Sequence, residues 1–181
     1  MAKMPYIDFS FPGIEIKVES NVLKEYIFQV DSGVNSICKT YLDSELDKYK
    51  GEHYTEYMHV YAVAEDELPR VILNPITLSI YTLFESSINR LLKYCQSKED
   101  RSDSLKDAKG KSLLSRVNKY MDQVLLYDYK FSASDIQTLS SLGAVRNCIA
   151  HANGDLNQLD QRRRSNLSKI ITERNDLSIF G

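Results

Sequence analysis

The chain has 181 residues, with 43% hydrophobic and 27% charged side chains and a formal net charge of −2. This composition is ordinary for one soluble globular domain, and the near-neutral charge excludes a broad basic field for nucleic acid. The three cysteines are scattered and form no C-x-x-C pair, which argues against a disulfide framework or zinc cage and for a reducing compartment. No long apolar stretch follows a basic start and no run approaches a membrane span, so we expect a cytoplasmic protein without a signal peptide or membrane partner.

The first twenty residues predict an N-terminal arm. Residues 5–20 alternate apolar and polar side chains around Pro12-Gly13, which is typical of a short hairpin or extended segment. From Asn21 to Lys50 the spacing of apolar residues changes to three and four, which predicts a helix. We therefore divide the chain into an extended arm or hairpin over residues 1–20 and a helical-bundle domain over residues 21–181.

The remainder of the chain is predicted to be all-α. Asn74 as N-cap and Pro75 at the first helical position mark the start of one helix. Ser132 or Ser134 caps a later helix that runs to about Asn153. The predicted helices cover residues 21–50, 52–65, 74–96, 112–127, 132–153 and 156–174. Together they predict an up-and-down bundle of five or six helices.

The stretch RNCIAHANG over residues 146–154 places a permanent cation, an amide and an imidazole within six residues. On a regular helix Asn147 and His151 lie one turn apart on the polar side, whereas Arg146 lies about 140° around the axis from His151. Arg146 and His151 can contact the same substrate atom only in one of three ways. The long arginine side chain reaches around the helix, the turn near Gly154 is irregular, or a second copy of the helix supplies one of the two residues. The opposite face carries the apolar stripe Leu142, Val145, Ile149 and Ala152. For an arbitrary Arg and His, a simpler interpretation than a functional site is that both side chains are solvated on the outer face of a packed helix.

The segment LSSLGAVRNCIAHANG resembles the motif helix of the HEPN superfamily of small helical RNases and nucleotide-binding domains. On this resemblance Arg146 is the motif arginine, Asn147 the polar residue that follows it, and His151 the motif histidine. The hydrophobic spacing, the small residue before the histidine and the closing glycine agree with it. The likeness covers these sixteen residues and an all-helical context.

The resemblance implies a metal-independent RNA endonuclease without a cofactor. His151 would act as general base or acid, Arg146 would hold the phosphate, and Asn147 would position one of them. Attack by the RNA 2′-hydroxyl would leave a 2′,3′-cyclic phosphate. Because one histidine cannot readily serve as both base and acid, we expect a homodimer with a composite site across the two-fold axis. The resemblance also implies a toxin–antitoxin or anti-phage role, with an antitoxin or regulatory protein as partner.

Further candidates surround this motif. Arg162, Arg163 and Arg164 form the clearest local basic patch and are RNA-binding candidates, although such a triplet is usually a solvated helix face. Glu85 lies in an otherwise apolar helix, and an acidic residue on a helix facing the motif helix resembles an arrangement that orients the motif in many HEPN domains. Its alternative is a carboxylate on a helix surface. Other acidic residues are spread over helix surfaces, so we predict no metal site.

Two functions stay open on the sequence. The first is the RNA endonuclease, which the intact Arg146, Asn147 and His151 favour. The second is a non-catalytic HEPN-like module that binds RNA or nucleotide, or that serves as a dimerising scaffold. The near-neutral charge and the lack of a broad basic face weigh for this second function.

Overall fold

The computed structural model describes residues 8–110 and 112–174, and within these ranges the regular structure is helical, with no strand. The helices are α1 (Gly13–Leu46), α2 (Tyr54–Ala62), α3 (Leu68–Lys98), α4 (Leu113–Gln123), α5 (Ala133–Ala152) and α6 (Gln161–Glu173). A π-helical turn over Val63–Glu67 joins α2 to α3, and 3₁₀ turns cover Asp47–Tyr49 and Leu156–Gln158. The predicted all-α class with five or six helices is confirmed.

The predicted hairpin around Pro12-Gly13 is wrong over residues 13–20. Helix α1 begins at Gly13, and the Pro12 carbonyl accepts a hydrogen bond of 3.0 Å from the amide of Ile16. Proline fits a helix start as well as a turn, since its missing N–H has no partner to lose there. Of the apolar residues that suggested a strand, Ile14 and Val18 stay exposed on the helix, at 67% and 56%, and Ile16 is half-buried. Residues 5–7 of the predicted hairpin lie outside the described residues, and the predicted boundary after residue 20 falls inside α1.

The predicted helix start at Asn74-Pro75 is also wrong. Helix α3 begins six residues earlier than Asn74, at Leu68, and Pro75 lies inside it. An interior proline leaves the carbonyl four residues before it without its usual donor and costs about 3 kcal/mol. The helix nevertheless continues through this position, and Ile76 directly after it is buried. Burial of the apolar face therefore outweighs the local signal that the sequence carries.

The continuous helix from Tyr54 to Lys98 contains an 18-residue window with a mean hydropathy of 1.3, of which 11% is buried. By length and composition this helix is able to cross a membrane, so the expectation that no run approaches a membrane span is wrong. One such helix is weak evidence for insertion, because core helices of soluble proteins meet the same criteria.

The chain divides into two compact units, and the first comprises residues 8–21 and Thr82–Leu142. Its core is a cluster of buried side chains from α3, α4 and the segment after α4. These are Ile88, Leu92, Leu114, Val117, Tyr120 and Leu125. The hydroxyl of Tyr120 donates to the Asp103 carbonyl at 2.8 Å, so the largest of these side chains is both buried and hydrogen-bonded.

The second unit comprises Val22–Tyr81 and residues 143–174. Where α5 meets α6, a smaller buried cluster forms from Cys148, Ala152 and Leu167. Val60, Ala64 and Ile76 are buried elsewhere in this unit. The smaller cluster positions the polar face of α5 beside α6, and the candidate site lies there.

A candidate cleft between helices α5 and α6

Both ends of α5 are fixed by local hydrogen bonds. The Ser132 hydroxyl accepts from the amide of Asp135 at 3.1 Å, and the Asp135 carboxylate accepts from that same hydroxyl at 2.7 Å. At the other end Asn153 and Gly154 adopt φ values of 49° and 83°, and the Gly154 amide donates to the Cys148 carbonyl. This bond is typical of a Schellman motif. The prediction of a helix capped at Ser132 and ending near Asn153 is confirmed.

A cleft of about 460 Å³ lies between α5 and α6. Its lining residues are Ala144, Asn147, Cys148, His151, Leu159, Arg163, Asn166 and Leu167. Four of these are polar or charged and come from both helices. The first turn of α6 is held by Asp160, whose carboxylate accepts from the Arg163 amide at 2.9 Å. The cap therefore fixes the position of Arg163 in the first turn of α6.

On the α5 side the cleft presents Asn147 and His151. They are four residues apart on one helix and so project from neighbouring turns of the same face. Both side chains are exposed to solvent. Between them Cys148 lines the cleft, and burial raises the pKa of its thiol, with a smaller contribution from Asp155. The thiol therefore stays protonated at neutral pH and acts as an apolar surface, not as a nucleophile.

Arg146 occupies the other flank of α5. Its guanidinium carbon lies 5.6 Å from the ring centroid of Tyr81, within range of a cation–π contact. Its Nη1 donates to Oδ1 of Asn147 at 2.9 Å. Its Nε is buried without a hydrogen-bond partner among the described residues. As the helical geometry predicts, Arg146 and His151 diverge, and Asn147 connects the arginine to the edge of the cleft.

Gly143 makes room for Tyr81 against α5. A methyl group on residue 143 would lie 3.0 Å from the Tyr81 hydroxyl oxygen and 3.2 Å from the ring. The absence of a side chain at Gly143 therefore allows the close approach of Tyr81 to α5. Tyr81 itself was missed at the sequence level, because nothing distinguishes it there from the other tyrosines.

The three neighbouring arginines have different surroundings. Arg163 lines the cleft, and its Nε lies 3.2 Å from the Asp160 carboxylate. Arg164 instead donates to the carbonyls of Leu156 and Asn157 at 3.0 and 2.8 Å, which ties α6 to the preceding 3₁₀ turn. Arg162 is exposed and does not line the cleft. The triplet is therefore not one uniform patch.

Two further polar residues complete the comparison with the sequence predictions. Asn166 lines the cleft and was not predicted, although its position three residues after Arg163 places both on one face of α6. Glu85 is half-buried in α3 and belongs to the first unit, whereas the motif residues belong to the second. Its orienting role stays a prediction.

No group of three or more His, Cys, Asp or Glu side chains suited to a metal ion occurs within residues 8–110 and 112–174. Comparisons of the chain with protein-family models, with curated proteins and with solved structures give no match. The resemblance to the HEPN superfamily therefore stays a prediction carried by residues 139–154.

Proposed function

We propose that this protein is a metal-independent RNA endonuclease of the HEPN type, acting in the cytoplasm in a toxin–antitoxin or anti-phage defence system. The defence role rests on the family resemblance alone. The cleft supports the catalytic part, because it gathers an imidazole, two amides and a guanidinium around one open space. This grouping is the observation that carries the proposal.

In the proposed reaction the substrate supplies its own nucleophile, the ribose 2′-hydroxyl. His151 accepts the proton of that hydroxyl as its oxygen attacks the adjacent phosphorus. The bond from phosphorus to the 5′-oxygen breaks, and a second acid protonates the leaving oxygen. The products are a 2′,3′-cyclic phosphate and a 5′-hydroxyl. Arg146 stabilises the charge that develops on the phosphate.

The divergence of Arg146 and His151 on one helix supports a two-fold homodimer in this proposal. In a dimer, Arg146 of one protomer meets His151 of its partner, and the second histidine supplies the acid. Each chain then provides half of each active site.

The catalytic proposal is tested by incubating total RNA with the purified protein in EDTA. We expect cleavage with cyclic-phosphate ends, and its loss in Arg146→Ala and His151→Ala. His53→Ala is the matched control, since His53 is exposed and lies outside the cleft. Equal cleavage by all four proteins, or none by the parent, would contradict the proposal.

The composite site is tested by mixing the parent with an excess of the double variant Arg146→Ala/His151→Ala, so that subunits exchange. In a heterodimer the remaining Arg146 and His151 are on the same chain, so neither composite site is complete, and cleavage should fall as the parent enters heterodimers. A site contained within each chain predicts that cleavage per parent chain stays unchanged. The mass in solution is measured alongside, and a strict monomer would rule out the composite site.

One observation favours the second candidate function, a non-catalytic module that binds RNA or nucleotide. Arg146 contacts Tyr81 and Asn147 and does not line the cleft, so a single chain lacks the motif arginine beside His151. RNA binding without cleavage by the parent, with a mass that shows no dimer, would support this candidate.

A further inference from the structure

The cleft between α5 and α6 is lined by both apolar and polar residues. The apolar ones are Ala144, Cys148, Leu159 and Leu167, and the polar ones are Asn147, His151, Arg163 and Asn166. Small-molecule sites combine these two features, within volumes of roughly 300–1,000 Å³. At about 460 Å³ the cleft accommodates one nucleotide and is too small for a folded RNA.

Each of the two helices supplies the cleft with one side chain that is able to bind an anion. Arg163 and His151 stand on opposite helices, and both are able to donate to an anion. The carboxylate of Asp160 engages Nε of Arg163 and leaves its two terminal nitrogens without a partner among the described residues. The Arg163 side chain is 71% exposed, so it reaches a ligand without breaking a buried contact.

The amides supply the remaining polar groups. Asn147 accepts from Arg146 through Oδ1, which leaves its amino group for a ligand. Asn166 is exposed beside Arg163 and offers both a donor and an acceptor. Amide side chains of this kind pair with the edges of nucleobases, and the apolar lining residues suit a base face.

We propose that this cleft is a subsite for a single ribonucleotide, in which Arg163 and His151 hold the phosphate and Asn147 and Asn166 contact the base or ribose. The subsite rests on the proposed function and adds Arg163 and Asn166 to the residues that contact substrate. Within one chain, Arg163 then binds the phosphate. Arg146 acts instead in the composite site that contains His151 of the partner subunit.

The test is calorimetric titration of the full chain with 3′-nucleoside monophosphates, with the corresponding nucleosides and with inorganic phosphate. We expect the monophosphate to bind more tightly than either component. Arg163→Ala should weaken the monophosphate about tenfold, or about 1.4 kcal/mol, because it removes a charge-assisted hydrogen bond from an exposed side chain. Asn166→Ala should weaken it less and leave phosphate binding unchanged.

Arg162→Ala is the matched control, because it removes the same charge from the neighbouring residue, outside the cleft. It should change the affinity less than about twofold, as expected for a solvent-screened charge. Equal weakening by both variants, or no monophosphate binding by the parent, would overturn the subsite. Circular dichroism confirms that each variant is folded.

The two proposals fail in different ways. RNA cleavage that requires His151, together with a nucleotide affinity indifferent to Arg163, overturns the subsite and keeps the nuclease. Nucleotide affinity that depends on Arg163, without any cleavage, supports the subsite and overturns the nuclease.

Discussion

The two compact units differ in how their side chains are used. In the first, a large buried cluster is accompanied by ionic and hydrogen-bonded groups that are tied to each other, as between Arg90 and Glu19. In the second, the cluster beside the cleft is smaller, and the His151 side chain makes no hydrogen bond with the described residues. The candidate functional side chains of the cleft are therefore exposed and are held by few contacts. Substitutions in the first unit should mainly cost stability, and those in the cleft should mainly cost function.

The largest effect is expected for His151→Ala. The rate of RNA cleavage should fall by roughly 10²–10⁴, the contribution typical of a general acid or base. The melting temperature should not change, because the side chain is exposed and unpaired. Parallel cleavage and melting measurements on His151→Ala and His53→Ala check this. A large drop in melting temperature would show that His151 is structural and would break the contrast between the units.

Next in size are two leucine truncations, one from each unit. Leu125 is 2% exposed in the larger cluster and Leu167 is 4% exposed beside the cleft. Leu125→Ala should reduce the free energy of unfolding by about 3–4 kcal/mol and Leu167→Ala by about 2 kcal/mol, since a cavity next to open space is relieved more easily. Urea denaturation measures both. The reverse order would mean that the second unit is the better packed.

A smaller effect separates two helical glycines of the second unit. Gly143→Ala should destabilise the protein by about 1 kcal/mol, because its methyl group would lie only 3.0–3.3 Å from the Tyr81 side chain, which must shift to accept it. Gly33→Ala should stabilise it by about 0.5–1 kcal/mol, because no atom lies within 4 Å of the added methyl and alanine favours the helix. Thermal melting compares the two, and equal shifts would contradict the close contact of Tyr81 with α5.

The smallest effect concerns acid stability of the first unit. The Lys98 ammonium, followed by Ser10 and Tyr94, holds the pKa of Asp8 well below its usual value of 3.8. A carboxyl with a lowered folded-state pKa stabilises the fold above its unfolded pKa and loses that contribution as the pH falls below it. Asp8→Asn should therefore melt at a lower temperature at pH 7, and the difference should narrow below about pH 4. A constant difference across this range would show that charge is not its cause.

The sequence predicted those features that depend on local chemistry. The bounds of α5 follow from a serine cap and a closing glycine, and the divergence of Arg146 and His151 follows from the helical repeat. The Pro-Gly signal misled because proline also fits a helix start, and α1 forms there without burying a residue. The Asn-Pro signal misled because α3 continues through Pro75 and buries Ile76 directly after it.

The cleft was predicted only in part. Asn147 and His151 were identified from their spacing, whereas the contribution of α6 depends on contacts between residues distant in the sequence. Arg163 could be chosen from its two neighbours only once Arg164 was seen to bind the carbonyls of Leu156 and Asn157. Asn166 carries no motif of its own, and only its place beside the cleft distinguishes it.

Cys148 gives the cleft a built-in chemical reporter. It is the buried one of the three free cysteines, and it lines the cleft between the two polar residues of α5. The burial and raised pKa of this thiol make its reaction with an alkylating reagent slow, and a ligand in the cleft should slow it further. The labelling rate of Cys148, followed by mass spectrometry, thus measures whether the cleft is occupied. The measurement needs neither a dye nor an added tryptophan, and the chain contains no tryptophan of its own.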